Sequence, residues 1–206
     1  MKIDQDNKIN KPDDTVGLNV SGHILIKDKE TGEELVNKRN AIHYGNMAYI
    51  VAQALNSFNT ENAFIDRIAF GNGATSIDTA GKITYKTPKV SEAYENSAGL
   101  YSRTYSKRLN PASTDTFIST TVGTSYTDIK ITATLGYNEP SDAELFDTAT
   151  NNAGNYVFDE IGLFTFPTDG SDIDTSTMLT HVIFHPVQKS QNRIIEIVYT
   201  VRIQLS

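Results

Sequence analysis

Residues 193–206 read RIIEIVYTVRIQLS, and this segment decides the fold class. Apolar and polar side chains alternate along it, which is the period-two pattern of a half-buried antiparallel strand. At about 3.3 Å per residue the strand from Ile194 to Ser206 would extend roughly 43 Å, about twice the usual strand length, so we expect it to bend at a bulge or to reach a neighbouring subunit. The predicted core face carries Ile195, Ile197, Tyr199, Val201, Ile203 and Leu205, and the opposite face carries Glu196, Thr200, Arg202 and Gln204, with Ile194 and Val198 as exceptions.

Strand patterns also occupy most of the chain before this segment. Residues 156–166 and 178–189 read as two further strands, and with 193–206 they predict one continuous β-meander. From Val16 the apolar side chains alternate again, and residues 27–33 supply a turn with Gly32, which predicts a β-hairpin. Further strand signals lie at 64–70, 100–109, 116–122 and 127–137.

One segment has helical rather than strand periodicity. Met47, Ile50, Val51, Ala54 and Leu55 recur at the spacing of an amphipathic helix, and we take the preceding asparagine at position 40 as its N-cap. The predicted fold is therefore mainly β, an antiparallel sandwich or a partly closed meander with one short α-helix at about residues 42–56.

The length of 206 residues suits a single domain. We divide the chain into a polar N-terminal arm, residues 1–14, and one β-rich domain, residues 15–206. The domain contains two long loops, 74–99 and 138–155, where periodicity is weak and Gly, Ser, Thr and Asp are frequent. Loops of that length are usually functional or ordered by other contacts, and we expect a partner subunit to order the arm.

The composition excludes several classes of function. Eighteen basic and 25 acidic residues give a net charge of −7, which provides no overall positive field for nucleic acid. No cysteine is present, so disulfides, thiolate metal sites and cysteine nucleophiles are excluded. No apolar run approaches 18 residues, and the N-terminus lacks the pattern of a signal peptide. We therefore expect neither a nucleic-acid partner nor a membrane partner.

Two motifs resemble ligand sites but lack the required spacing. Gly71, Asn72 and Gly73 follow a strand, as in a dinucleotide fingerprint, but Ser76 occupies the position of the third glycine. His181 and the histidine four residues later lie on a predicted strand, where four residues span roughly 13 Å. Both cannot reach one metal ion, so we interpret them as surface or cross-strand histidines.

The acidic clusters also fail as reactive sites. Asp169, Asp172 and Asp174 lack the spacing of a calcium loop and indicate a solvated hairpin tip. Asp159 and Glu160 are adjacent on a predicted strand, so their carboxylates should point to opposite faces and cannot flank one glycosidic bond. A Ser-His-acid triad requires a spatial arrangement that the sequence leaves open. We predict no catalytic residue, cofactor or metal, and no enzymatic activity.

One predicted strand carries a basic and aromatic stripe in this acidic chain. If residues 100–109 are extended, four of its residues share a face, with a further arginine beside them. An edge strand guarded by positive charges against stray pairing would account for the stripe. A contact surface for a partner subunit, a glycan or a host receptor would also account for it, because Tyr and Arg favour interfaces. The stripe consists of Tyr101, Arg103, Tyr105, Lys107 and, beside them, Arg108.

Several segments resemble virion proteins of tailed bacteriophages. Residues 158–164, FDEIGLF, resemble a strand of tail-fibre and baseplate-associated proteins, in which a close-packing glycine precedes a variable turn and a long closing strand. Residues 178–187 and 193–203 resemble the ends of the same proteins. Residues 27–38 and 40–43 resemble an N-terminal hairpin and helix entry in phage virion proteins. These segments cover less than half of the chain.

The resemblance implies a structural role rather than a catalytic one. We expect a virion component of a phage tail or baseplate that assembles with other phage structural proteins and bridges them, as a symmetric homo-oligomer within the virion. Its localisation would be the virion, after assembly in the host cytoplasm. The alternative is a receptor- or carbohydrate-binding tail module that uses the stripe or the 74–99 loop.

Overall fold

The computed structural model describes residues 17–55, 64–95, 97–110, 113–140, 155–167 and 175–205. In these ranges the chain is mainly β, with two five-stranded antiparallel sheets, one two-stranded hairpin and one α-helix, and it is not closed into a barrel. This architecture confirms the predicted antiparallel sandwich with one short helix. The N-terminal arm, the aspartates of the proposed hairpin tip and most of the 138–155 loop lie outside the described residues.

The described elements follow one another along the chain with short strands between long ones. The helix α1 spans Tyr44–Leu55. The strands are β1 (Leu18–Asp28), β2 (Glu34–Arg39), β3 (Ala41–Ile42), β4 (Ile65–Gly71), β5 (Thr75–Ile77), β6 (Ile83–Tyr85), β7 (Arg103–Arg108), β8 (Thr116–Val122), β9 (Tyr126–Leu135), β10 (Asn155–Thr165), β11 (Thr180–Ser190) and β12 (Ile195–Leu205).

The strand order corrects the predicted meander. The first sheet has the order β2-β1-β12-β9-β8, and the second has the order β3-β11-β10-β4-β7. Strands β10 and β11 pair as expected, but β12 leaves them and crosses to the first sheet. The physical reason lies at the crossing, where Arg193 donates from Nε to Asp28 Oδ2 of β1 at 2.6 Å and so attaches the start of β12 to the first sheet.

Strand β12 occupies the centre of the first sheet. It pairs with β1 over 11 residues from Leu18 to Asp28, and on its other side with β9 over ten, in both cases without a register shift. Its residues at positions 195, 197, 199 and 201 are buried, which confirms the predicted core face over that stretch, whereas Ile203 of the same face is half-buried. The expectation that this strand bends at a bulge or reaches a neighbour is wrong, because β1 and β9 of the same chain pair with it along its length.

The two sheets pack face to face around an apolar core to which both contribute. A chain of hydrogen bonds crosses this core. Tyr199 of β12 donates its hydroxyl proton to Thr180 Oγ1 of β11 at 2.6 Å, and it accepts from Asn40 Nδ2 at 3.0 Å. Thr180 Oγ1 in turn accepts from the backbone N–H of Leu163 at 3.0 Å. The Tyr199 and Thr180 hydroxyls are satisfied inside the core, so these bonds fix one sheet relative to the other.

Helix α1 lies where it was predicted, but its N-cap differs. His43 precedes the first helical residue, its carbonyl accepts from Met47 N at 2.9 Å, and its Nδ1 accepts from Asn46 N at 3.4 Å. The capping role therefore belongs to His43. The prediction of Asn40 as the cap is wrong, because the backbone of that residue bonds to Gly22 of β1 instead.

The turn between β1 and β2 forms as the sequence predicted. Asp28 Oδ1 accepts from the backbone N–H groups of Glu30 and Thr31, and Gly32 has φ of 76°, a conformation that favours glycine. The backbone bond from Thr31 and the ion pair with Arg193 lower the pKa of Asp28 to about 2. The same aspartate therefore stabilises the turn and the crossing of β12.

Candidate functional site

The outer face of the second sheet is covered by a long segment of the same chain. We call residues 72–95 and 97–102 the covering segment; it contains the β5–β6 hairpin inside the predicted 74–99 loop. Ala98 and Leu100 of this segment form a small second core with Ala69, Phe164 and Met178. The second sheet is therefore buried on both faces, and polar groups on its outer face are enclosed.

Asp159 holds the start of the covering segment. Its carboxylate accepts from the backbone N–H of Ala74 at 3.1 Å and from that of Thr75 at 2.8 Å, and the Thr75 hydroxyl also donates to it. The residue is 2% exposed. These donors replace the water that a buried carboxylate loses, so Asp159 serves as an acceptor for backbone groups.

Glu160 holds the end of the same segment. Its Oε2 accepts from Tyr101 N at 2.9 Å, and its Oε1 accepts from Ser102 N at 2.8 Å and from Gly73 N at 3.3 Å. Burial alone would raise the pKa of this carboxyl. Hydrogen bonds from His181 and from the two backbone groups at 101 and 102 outweigh burial, so the pKa lies below its usual value. Glu160 is therefore ionised at neutral pH.

His181 connects Glu160 to the middle of the covering segment. Its Nδ1 accepts from the backbone N–H of Lys89 at 2.8 Å, so the ring proton of the neutral tautomer lies on Nε2, 2.9 Å from Glu160 Oε2. The imidazole is fully buried. Both ring nitrogens are thus engaged, and neither is left to activate a serine or threonine hydroxyl.

Helix α1 supports the covering segment from the side. Asn46 accepts from Glu95 N at 2.7 Å and donates from Nδ2 to the carbonyl oxygens of Glu95 and Met178, at 2.9 and 2.8 Å. The adjacent Gly45 permits close contact, because a Cβ there would lie 2.0 Å from the carbonyl carbon of Ala93. The Tyr49 ring packs against the Tyr94 ring with centroids 4.3 Å apart. The segment is therefore attached at its start, middle and end.

Two predictions about these residues are corrected. Asp159 and Glu160 were expected to point to opposite faces, but the register of β10 against β11 shifts between Phe158 and Glu160, and both carboxylates reach the covering segment. His181 was interpreted as a surface or cross-strand histidine; it is enclosed, so the surface alternative is wrong, and it bonds across to Glu160 of the neighbouring strand β10. His185 is exposed and its Nδ1 lies 3.2 Å from the Tyr85 hydroxyl, so the two histidines have separate environments.

Two members of the predicted stripe face the interior. Lys107 is 9% exposed and donates to both carboxylate oxygens of Glu139 at 2.6 Å and to Thr134 O at 2.7 Å. Tyr105 is half-buried and donates to Glu139 Oε1 at 2.5 Å. Burial and this carboxylate raise the Tyr105 pKa. A contact surface on the stripe therefore cannot include Lys107 and has little of Tyr105 to offer.

A second buried lysine lies near the same carboxylate. Lys189 of β11 is fully buried and donates to Ser190 O at 3.1 Å and to Tyr137 O at 3.4 Å. Burial lowers its pKa to about 8, against a smaller opposing effect of Glu139. This group is enclosed among backbone carbonyls, which suits a structural role better than contact with a substrate.

The other three members of the stripe remain at the surface. Arg103 is exposed, and the Arg108 side chain is 58% exposed and pairs with Asp66 at 3.2 Å. Tyr101 is half-buried, and the Nζ atoms of Lys86 and Lys89 each lie 4.4 Å from its ring centroid. The partner-contact role of the stripe stays a prediction, and it rests on these three residues.

A pocket adjoins Tyr101 on the covering segment. It has a volume of about 380 Å³ and is lined by residues 87–90, 95, 97–99 and 101. The Tyr101 hydroxyl donates to Thr87 O at 2.9 Å, which holds the ring at the pocket wall. An aromatic ring beside two ammonium groups suits an anionic or sugar-containing ligand better than an apolar one.

One feature of the sequence, apart from its periodicity, indicated that these carboxylates are buried. Two acids interrupt the apolar run 156–164, YVFDEIGLF, and acids inside such a run are buried only when they are paired. Most of their partners are backbone groups more than 50 residues away, which no sequence pattern identifies. Asn46 gave no signal, because asparagine is also frequent on solvated helix faces.

The described ranges contain neither a metal-binding cluster nor a membrane-spanning helix. Within them, no group of three or more histidine and acidic side chains has the arrangement of a metal site. No helix in that part of the chain is both long and apolar enough to cross a membrane. No protein family, curated protein or solved structure matches the chain, so its function is argued from the geometry above and from the resemblance of short segments.

Proposed function

We propose that this chain is a structural virion component of a phage tail or baseplate that assembles with other phage structural proteins and bridges them. Support comes from the segments that resemble tail-fibre and baseplate-associated proteins, above all residues 158–164. We base this structural role on that resemblance and on the contacts that the same residues make in the fold. The location would be the virion.

One observation carries the proposal. The strand of the resemblance is the strand on which the covering segment is built, because Glu160 binds both of its ends and Gly162 leaves room beneath it. A Cβ at Gly162 would lie 2.7 Å from Thr180 O and 3.3 Å from the Leu100 side chain. The motif therefore has a structural use in this chain, that of supporting a rigid second layer.

A non-catalytic role fits the same cluster. Asp159, Glu160 and His181 are the buried groups that most resemble catalytic residues, and their hydrogen-bonding atoms hold backbone N–H groups, the Thr75 hydroxyl or one another. Catalytic groups need access to substrate and a free acceptor or donor position. We infer that this cluster positions a surface for assembly.

A virion test decides the main proposal. Antibodies against the purified chain should label the tail or baseplate of tailed phage particles that carry its gene, as seen by immunogold electron microscopy. Particles made without the gene should lack tails or fail to complete the baseplate, and the parent gene should restore them. Labelling absent from intact and from disrupted particles, together with normal particles after gene deletion, would contradict the proposal.

The alternative, a receptor- or carbohydrate-binding module, is favoured by the pocket beside Tyr101 and its two lysines. Tyr101→Ala should then leave assembly intact and lower adsorption to host cells about tenfold or more, because aromatic anchors dominate binding energy. Tyr126→Ala is the matched control, since Arg202 packs on that ring at 3.9 Å at a different place. Equal adsorption of both variants and the parent would exclude this use of the pocket.

A further inference from the structure

The four edges of the two sheets differ in their protection against added strands. Edge strands expose unpaired N–H and C=O groups, and proteins usually guard them with charges, proline, bulges or short length. Strand β2, ELVNKR, carries three charged residues, and strand β7, RTYSKR, also carries three. Strand β3 has two residues. Strand β8, TFISTTV, has no charge and no proline.

The geometry of β8 also leaves its outer edge available for pairing with another strand. It pairs with β9 over all seven residues without a register shift, so no bulge turns its free edge away. Among the described residues no strand pairs with its outer edge. Phe117 is 63% exposed and Val122 is 78% exposed, and β-branched residues fill most of the remaining positions. A strand with these properties favours the addition of a further strand at its free edge.

The inner side of β8 adds a place for the side chains of an added strand. Ile118, which is half-buried, and Thr120, which is exposed, line an apolar groove of about 440 Å³ together with residues of α1, β9 and β12. An added strand would place every second side chain toward this groove and the others beside Phe117, Ser119 and Thr121.

We propose that β8 is a self-association edge, at which β8 of a second copy of this chain adds antiparallel and joins the two first sheets into one. Charge does not oppose self-pairing of β8, because two copies bring no charges together, whereas two antiparallel copies of β7 would set Arg103 opposite Lys107 or Arg108. The proposal concerns the chain itself and does not depend on its role in a virion.

The pairing register follows from the strand pattern. All seven residues of both copies pair only when Ser119 lies on the two-fold axis, which sets Ile118 opposite Thr120 and Phe117 opposite Thr121. In this register the side chains on the groove face of one copy lie opposite those on the groove face of the other. A shift by one residue would place groove-face residues opposite residues of the other face. The contact is about 23 Å long at about 3.3 Å per residue and smaller than a standard interface, so the free dimer is expected to be weak.

Charge variants at the axis test the proposal. Ser119→Lys and Ser119→Glu each place two like charges opposite each other, so each variant should remain monomeric at concentrations where the parent associates. Mixing the two should restore association, because opposite charges then meet. Asn37→Lys, which adds the same charge on the opposite edge strand β2, is the control and should associate like the parent. Sedimentation at several concentrations measures each mass.

Cross-linking tests the same contact when association is weak. The chain has no cysteine, so Ser119→Cys provides a single thiol, and Asn37→Cys provides a control on β2. A short bis-maleimide should cross-link the Ser119 variant roughly tenfold faster or more, because pairing raises the effective concentration of the two thiols. Circular dichroism should show that all variants are folded.

Three outcomes would overturn the proposal. Equal cross-linking rates for the two thiol variants would show that copies do not meet at this edge. Association of Ser119→Lys at the parent's concentration would show that they meet elsewhere. Protection of the β8 amides from hydrogen exchange by a different protein, with the parent alone monomeric, would assign the edge to a partner other than a second copy.

Discussion

Glu160→Gln tests the central structural claim, that a buried carboxylate holds the covering segment on the second sheet. The substitution keeps the size of the side chain and removes its charge. Four donors converge on the two carboxylate oxygens, namely the N–H groups of residues 73, 101 and 102 and the Nε2–H group of His181. Glutamine offers one oxygen and one NH2 group, so at least one donor would face another donor.

The expected cost follows from the donors left without an acceptor. If the introduced glutamine keeps its oxygen toward residues 73 and 102, its NH2 group faces the N–H of Tyr101 and the ring of His181. The imidazole cannot resolve the conflict by changing tautomer, because its Nδ1 already accepts from Lys89 N. Each unsatisfied buried group costs about 1–3 kcal/mol, so with two such groups the free energy of unfolding should fall by about 2–6 kcal/mol.

Two measurements check this expectation. Denaturant unfolding gives the change in the free energy of unfolding, and amide hydrogen exchange should show faster exchange at Lys89, Tyr101 and Ser102 in Glu160→Gln. The control is Glu196→Gln, which breaks a surface pair with Lys27 at 2.8 Å and should cost no more than about 1 kcal/mol. Equal stability of the two variants, with unchanged exchange in the covering segment, would refute the anchoring role.

The pH dependence of the parent gives an independent check of the same carboxylate. The folded-state pKa of Glu160 lies below the ordinary value of 4.5, so the folded chain binds this proton less readily than the unfolded chain. The contribution of Glu160 to stability is therefore present above about pH 4.5 and is lost as the pH falls toward the folded-state pKa. Glu160→Gln should lack this part of the acid transition.

Three further substitutions test other parts of the fold. Burial lowers the pKa of Lys189 from its ordinary value of 10.5 to about 8. The free energy of unfolding of the parent should therefore rise by up to about 3 kcal/mol as the pH increases from about 8 to 10.5. Denaturant titrations at several pH values should show that Lys189→Met lacks this rise. Tyr199→Phe leaves Asn40 and Thr180 without their shared partner and should lower the free energy of unfolding by about 1–3 kcal/mol; no loss would contradict the role of this inter-sheet bond. Gly45→Ala should push the covering segment from α1 and speed its proteolysis, whereas unchanged cleavage would show that the close contact is dispensable.

Local periodicity was sufficient to predict the strand β12 and the helix α1 and to identify the buried face of β12. The alternation in residues 195–201 identified a buried strand face correctly, and the helical spacing from Met47 onward placed α1 within two residues of its observed ends. These features depend on neighbours within a few positions along the chain, which is the range over which a period of 2 or 3.6 can be read.

Sheet membership was not predictable from the same patterns. A two-residue turn at 191–192 suits a hairpin, yet β12 pairs with β1 and β9 because its apolar face completes the first sheet. The enclosure of two members of the stripe has a related reason, since Tyr105 and Lys107 bond to Glu139, a residue more than 30 positions away. Pairing between distant residues decides both cases, and periodicity contains no information about it.

The anchored covering segment and the β8 edge belong to different sheets, so each can be disturbed without the other. Glu160 acts on the outer face of the second sheet, while Ser119 lies on the edge strand of the first sheet. Glu160→Gln should therefore release the covering segment and leave cross-linking at β8 unchanged, and Ser119→Lys should abolish self-association without faster hydrogen exchange at Tyr101. If either variant produced both effects, the two features would be coupled through the core, most directly through the Tyr199–Thr180 bond that joins the sheets.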